Sequence, residues 1–207
     1  AELFAEKHGV ERVLDCYADV IADPEVNAIY NPLANSLHAR WNLAAIEAGQ
    51  PGVTGKTGAR NRREAQRVAA AAQAPGVPVM EGFHYLFHPV TRRAYELTGD
   101  GTIGEMHHVE VRMAMPAPDA SDPRWSFEMA GGALMDLGCY GLHIMRTLGH
   151  PSIIRAHAKE RTPGIDEWCD VELGFPGGAT GLSANTMTAP DFSFSLRIVG
   201  TKGDVLV

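Results

Sequence analysis

Apolar residues recur at helical spacing along the first part of the chain and alternate along much of the second. "AELFAEKHGV" reads as a helix end closed by Gly9, and "DCYADVIAD" as a second helix stopped by Pro24. "VNAIYNP" is a short apolar run bounded by Asn and Pro, the pattern of a buried strand. "NSLHARWNLAAIEAG" follows as a helix, with Asn35 or Ser36 as its N-cap and Gly49 just past its end. A short segment near 52–54, the helix "RNRREAQRVAAAAQA" and the strand "VPVMEGF" complete a β-α-β-α-β rhythm over residues 26–83. That rhythm predicts a parallel sheet wound by helices.

After Pro89 the pattern changes. "VTRRAYELTG" predicts a helix closed by Gly99, "EMHHVEVRMAMP" alternates as a strand, and "GGALMDLGCYGLHIMRTLG" is a helix with a Gly-rich start. "SIIRAHAKER", "EWCDVELGFP", "ATGLSANTM" and "FSLRIVGTKGDVLV" add strands. Helices followed by runs of strands predict a separate α+β domain, so we divide the chain into 1–86 and 87–207.

Composition narrows the function classes. The 207 residues are 45% apolar and 21% charged, as in soluble globular proteins. A net charge of −7 argues against nucleic acid or an anionic membrane as main partner, and no apolar run approaches a membrane span. Cys16, Cys139 and Cys169 are scattered without a C-x-x-C pair, which suits a reducing cytoplasm. Both ends look like elements already under way, so a fragment, cut short at its C-terminus too, is expected.

Three stretches carry chemistry. "GQPGVTGKTGARNRREA" (49–65) imitates a phosphate-binding loop through Gly55, Lys56 and Thr57, but position 50 is Gln50 where the first glycine belongs. A helix also precedes it, where that loop needs a strand. In "YNPLANSLHARW", Asn31, Asn35 and His38 fall at the carboxyl end of a strand, where wound sheets bind ligands. Capping and a solvent-facing His are the simpler reading there. In the later helix, Asp136, Tyr140 and His143 share a face at i, i+4, i+7, which fits acid–base work. Dipole stabilisation of Asp136, and burial of Tyr140 and His143, would explain them equally well. The pairs His84/His88 and His107/His108 have no acidic or Cys partner at ligand spacing, so no metal is expected.

Taken together, "NPLANSLHARWNLAAIEAG", "GKTG", "VMEGFHYLFHP" and "GGALMDLGCY" resemble the Gfo/Idh/MocA oxidoreductases, in particular the branch of glucose–fructose oxidoreductase and dimeric dihydrodiol dehydrogenase. The resemblance implies an incomplete Rossmann domain, parallel and doubly wound, whose Gly-rich first unit would precede Ala1. An α+β domain with an open, mostly antiparallel sheet would follow. That sheet's outer face commonly packs on another subunit, so a homodimer or homotetramer is implied. The implied reaction is hydride transfer between NAD or NADP and a hydroxyl of a sugar, polyol or cyclic diol. Lys56, Asp136 and Tyr140 fall on the family's reacting positions, with Lys56 expected to lower the phenol's pKa. Asn31, Pro32, Asn35, His38, Gly55, Lys56, Tyr85 and Trp125 would line the cofactor side, with Arg124 beside the pocket. The family's Glu and Pro around the lysine are Gly55 and Thr57 here, so Gly55→Glu is expected to tighten cofactor binding. The same departures leave a non-catalytic binding or assembly protein as the alternative.

Overall fold

Short parallel strands and long antiparallel ones separate in the computed structural model, which describes residues 1–207. One unit holds residues 1–33 and 37–82, and the other holds 34–36 and 83–207.

The first unit opens with α1 (Glu2–His8), closed by Gly9, and α2 (Tyr17–Ala22). Its sheet is β1 (Ile29–Asn31), β2 (Gly52–Thr54) and β3 (Val79–Glu81), parallel and in that order. The register pairs Asn31 with Thr54 and Thr54 with Glu81, so the three carboxyl ends finish level and each ends on a polar residue. The connections are α3 (Asn35–Glu47) and α4 (Arg62–Gln73). α4 starts where Asn61 Oδ1 accepts from Glu64 N at 2.9 Å and Glu64 reaches back to Arg60 N at 3.3 Å, a variant of the reciprocal capping box. α3 begins at Asn35 itself, so neither Asn35 nor Ser36 is its N-cap. Ala39, Ile46, Ala59 and Val68 form a small buried core. The opposite sheet face, carrying Tyr30, Val53 and Met80, lines an open apolar groove.

The second unit begins with a 3₁₀ turn (His84–Phe87) and α5 (Pro89–Gly99). Pro89 opens α5, where the missing N–H costs nothing, and the helix runs through Gly99 to a cap at Asp100 rather than closing at Gly99. Then come β4 (Met106–Ala114), a 3₁₀ turn (Pro123–Trp125), a π-helical turn (Leu134–Gly138) and α6 (Cys139–Gly149). Four more strands follow: β5 (Ser152–Thr162), β6 (Ile165–Gly174), β7 (Thr180–Thr186) and β8 (Ser193–Gly200), with β9 (Asp204–Leu206) last. The sheet order is β5-β6-β7-β4-β8-β9, antiparallel except for β4 against β7. "FSLRIVGTKGDVLV" is therefore two strands, not one. Gly200 N donates to Gly203 O at 2.9 Å and turns the chain back.

Alternation sets the two faces of the sheet. Val109, Val111, Val171, Leu173, Leu196 and Ile198 point inward with Ile144 and Met145 of α6. Their neighbours Glu110, Arg112, Asp170, Glu172 and Arg197 lie on the outer face. Two glycines let α6 approach closely. A Cβ on Gly141 would stand 2.1 Å from Ser183 Oγ, and one on Gly138 would stand 3.2 Å from Asn185 Nδ2. The backbones of the π-turn and α6 therefore rest on the side chains of Asn185 and Ser183 of β7, which fixes where Asp136 and Tyr140 stand. No helix is long and apolar enough to cross a membrane.

Candidate functional site

In the first unit the polar residues gather at the carboxyl ends of the strands. Asn31 Nδ2 donates to Asn42 Oδ1 at 2.9 Å and to His38 O at 3.3 Å. Asn42 Nδ2 continues to Gly58 O at 3.3 Å, and Gly58 N donates to Glu81 Oε1 at 2.6 Å. Gly55 N donates to Asn31 O at 2.9 Å. These bonds fasten the loop 55–58, which carries Lys56; its Lys56–Thr57 peptide is cis.

His38 is 2% exposed, which overturns the solvent-facing reading. Its Nδ1 lies 2.5 Å from Thr57 O. A carbonyl only accepts, so Nδ1 carries the proton. His38 Nε2 has no partner, and neither have Asn31 Oδ1, Thr54 Oγ1 and Thr57 Oγ1, all buried. A Cβ on Gly55 would stand 3.0 Å from His38 Cε1 and 3.2 Å from Nε2. The imidazole thus packs against the side-chain position of residue 55. A side chain at residue 55 therefore needs the His38 ring to give by a few tenths of an ångström.

In the second unit the candidate acid–base groups lie on the π-turn and the first turn of α6. A π-turn widens the helix locally, yet Asp136 and Tyr140 remain about one turn apart. Arg124 Nε donates to Asp136 Oδ2 at 2.9 Å. Burial lowers the Arg124 pKa, but its pairing with Asp136 and Asp122 outweighs this and raises it. Tyr140 is ringed by aromatic side chains, with Phe83, His84 and Tyr85 centred 5.6, 5.9 and 6.0 Å away. Tyr85 Oη and His143 Nδ1 are 2.6 Å apart, and His143 stacks on Phe83 at 4.1 Å. Burial, then Cys139 and Asp136, push the Tyr140 phenol up to about 12. Burial also pushes Tyr85 well up. Within this unit Tyr140 is therefore a protonated phenol at neutral pH, where the sequence reading expected a lowered pKa.

Asn31, Pro32, His38, Gly55 and Lys56 thus fall in the first unit, and Asn35, Tyr85, Arg124, Trp125, Asp136 and Tyr140 in the second. Asn35 Nδ2 donates to Ala130 O at 3.0 Å. Trp125 donates to Pro118 O at 3.2 Å, packs against Ala133, Leu137 and Met187, and carries Arg161 over its ring at 4.4 Å. Sequence reasoning missed Asn42, Thr54 and Glu81. For Asn42 a signal existed: Asn35, His38 and Asn42 recur at i, i+3, i+7 on one face of α3. No group of acidic, Cys or His side chains is arranged to hold a metal ion.

Residues 91–206 match the family profile described as GFO/IDH/MocA C-terminal domain. The chain is 32% identical over 206 residues to D-xylose 1-dehydrogenase (NADP(+)) 2 of Haloferax volcanii, covering 98% of this chain and 63% of that protein. It is 27% identical over 209 residues to trans-1,2-dihydrobenzene-1,2-diol dehydrogenase of Sus scrofa, covering 98% and 61%. The 3-ketoreductase KijD10 of Actinomadura kijaniata, solved with NADP and TDP-benzene, superposes with a TM-score of 0.91 at 27% identity, over 100% of this chain and 64% of that one. The chain therefore spans less than two thirds of the length of each of these three proteins.

Proposed function

The chain belongs to the GFO/IDH/MocA family, and from that premise we propose that it is part of an NAD(P)-dependent oxidoreductase. The reaction we propose moves hydride between the nicotinamide and a hydroxyl of a sugar, polyol or cyclic diol. The observation that carries this reading is the pairing on one helical turn of a carboxylate held by Arg124 and a protonated phenol in an aromatic ring of neighbours. The names of the relatives, a xylose dehydrogenase and a diol dehydrogenase, support the substrate class.

The first unit's residues fit the cofactor. Asn31 Oδ1, His38 Nε2, Thr54 Oγ1 and Thr57 Oγ1 are neutral polar atoms left without partners at the carboxyl ends of parallel strands. Such atoms suit the amide and hydroxyl groups of a nicotinamide nucleoside, and each costs about 1–3 kcal/mol while unsatisfied. When bound, the nicotinamide supplies the two-electron chemistry; the protein orients it and handles the proton. Asp136 accepts the hydrogen bond of the reacting hydroxyl and orients it. Tyr140, protonated at neutral pH, donates to the oxygen of a carbonyl undergoing reduction. In the oxidative direction its proton must leave first, and we assign Lys56 the role of favouring the phenolate. We also assign the protein to the cytoplasm, on three cysteines scattered without a C-x-x-C pair, and its self-association to the outer face of the six-stranded sheet.

The test uses the full-length protein. NADPH or NADH should quench its tryptophan fluorescence, and a panel of pentoses, hexoses, inositols and dihydrodiols should reveal turnover. Tyr140→Phe should lower kcat by about 10²- to 10⁴-fold with cofactor Kd nearly unchanged. Lys56→Met should add little to Tyr140→Phe if both groups serve one proton. Equal losses of turnover and cofactor affinity would reject Tyr140 as the proton-transfer group. The second reading, a non-catalytic binding protein, is favoured by Gly55, where the family carboxylate is gone. It predicts cofactor quenching with no turnover on the panel.

A further inference from the structure

We propose that Arg124 is the positioning residue for Asp136, held in register by a closed ring that runs through Gly132. The inference rests on the oxidoreductase reading, in which Asp136 receives the substrate hydroxyl. Three hydrogen bonds close the ring. Gly132 N donates to Arg124 O at 2.9 Å, Asp136 N donates to Gly132 O at 2.9 Å, and Arg124 Nε donates to Asp136 Oδ2 at 2.9 Å. One glycine thus ties together the two backbones whose side chains meet.

The surroundings leave this ring no slack. A Cβ on Gly131 would stand 2.2 Å from Arg124 O, and one on Gly132, at φ 102°, would stand 2.3 Å from Asp166 Oδ1. Asp166 Oδ2 in turn accepts from Leu134 N at 2.7 Å, where the π-turn starts. The far end of the guanidinium is anchored as well. Arg124 Nη1 donates to Asp122 Oδ2 at 3.1 Å and to Oδ1 at 3.3 Å, while Asp122 Oδ1 accepts from Arg124 N at 2.9 Å. Asp122 opens the 3₁₀ turn Pro123–Trp125, so the arginine's backbone and its side chain are fixed by the same carboxylate.

The planar guanidinium presents Nε to Asp136 and Nη1 to Asp122 from one rigid frame, which an ammonium does not. Arg124 thereby holds Asp136 at Oδ2. The gain is geometric: a displacement of about 1 Å at such a group costs on the order of 100-fold in rate.

The experiment uses full-length enzyme with its cofactor and the best substrate of the panel. Arg124→Gln should lower kcat by about 10- to 100-fold, with cofactor Kd within about 2-fold of wild type and Tm nearly unchanged. Arg124→Lys should recover little of this. Arg124→Ala should regain activity on addition of ethylguanidinium and much less with ethylammonium, a response that a packing defect does not give. The proposal is overturned if Arg124→Gln keeps its kcat within about 2-fold of wild type. A loss that guanidinium leaves untouched, and that a fallen Tm accompanies, overturns it as well. With Tyr140→Phe inactive and Arg124→Gln fully active, the oxidoreductase reading stands and this inference falls. Absence of turnover by the wild type on the whole panel removes both.

Discussion

Asn185 and Thr54 are each 1% exposed, and they stand in different units. Asn185 Nδ2 donates to Cys169 O at 2.9 Å and to Ser183 O at 3.2 Å, so the polar group beneath the π-turn is satisfied within its own sheet. Thr54 Oγ1 has no partner, and Asn31 Oδ1, His38 Nε2 and Thr57 Oγ1 of the same unit share that state, against Tyr95 Oη in the second. In the second unit, buried polarity is a structural device: it lets two glycines bring α6 onto β7 and so fixes Asp136 and Tyr140. In the first unit buried polar groups also fasten the loop 55–58, but these four atoms take no part in it. Four unsatisfied atoms at about 1–3 kcal/mol each weigh heavily against a typical net stability of about 5–15 kcal/mol. On the proposed reading, a bound cofactor would satisfy them.

The largest effect expected from this contrast is at Asn185. Asn185→Leu keeps the volume but removes the donor to Cys169 O and crowds Gly138. Chemical denaturation should show a loss of about 2–3 kcal/mol in the second unit. A change within about 0.5 kcal/mol would mean that its hydrogen bonds contribute little, and that the two units do not differ in kind.

That difference was only half legible in the sequence. The β-α-β rhythm up to Phe83 follows from short apolar runs set between helical periods, and these survive in the structure as β1, α3, β2, α4 and β3. Asp136 and Tyr140 could be paired because i, i+4 spacing holds across the start of a helix. The burial of His38 could not be read, because its partner is the backbone carbonyl of Thr57, and a carbonyl leaves no mark in a sequence. The Arg124–Asp136 pair spans twelve residues of irregular chain, where no periodicity aligns side chains. The π-turn was hidden for a related reason, since Gly138 and Gly141 read as weak helix formers until β7 is seen beneath them.

A smaller effect should separate the units at alkaline pH. Burial raises the Tyr140 phenol from its ordinary 10 to about 12, and raises the Cys169 thiol from 9 to about 11. Between the ordinary and the raised values, the folded state holds protons that the unfolded state has released. Stability therefore falls as pH rises from 9 through 12. Tyr140→Phe should flatten the part of that decline above pH 10. The difference should be about 1 kcal/mol, once discounted for partial exposure. Urea unfolding at pH 7.5 and at pH 11 checks it, and parallel declines in wild type and variant would show that the phenol is no more buried than in the unfolded chain.

The smallest effect has the opposite sign. Thr54→Val keeps the β-branched shape that suits β2 and removes a hydroxyl with no partner. Replacing an unsatisfied buried group by an apolar one of the same shape is neutral or favourable, so the first unit should gain up to about 1 kcal/mol. The same change takes away one of the four atoms assigned to the cofactor, so the rise in Tm on adding NADPH to full-length protein should shrink. The two readings together are what matters: greater stability alone, with weaker stabilisation by the ligand. If Thr54→Val instead lowers Tm by several degrees without ligand, a buried water already satisfies the hydroxyl, and the first unit is as complete as the second.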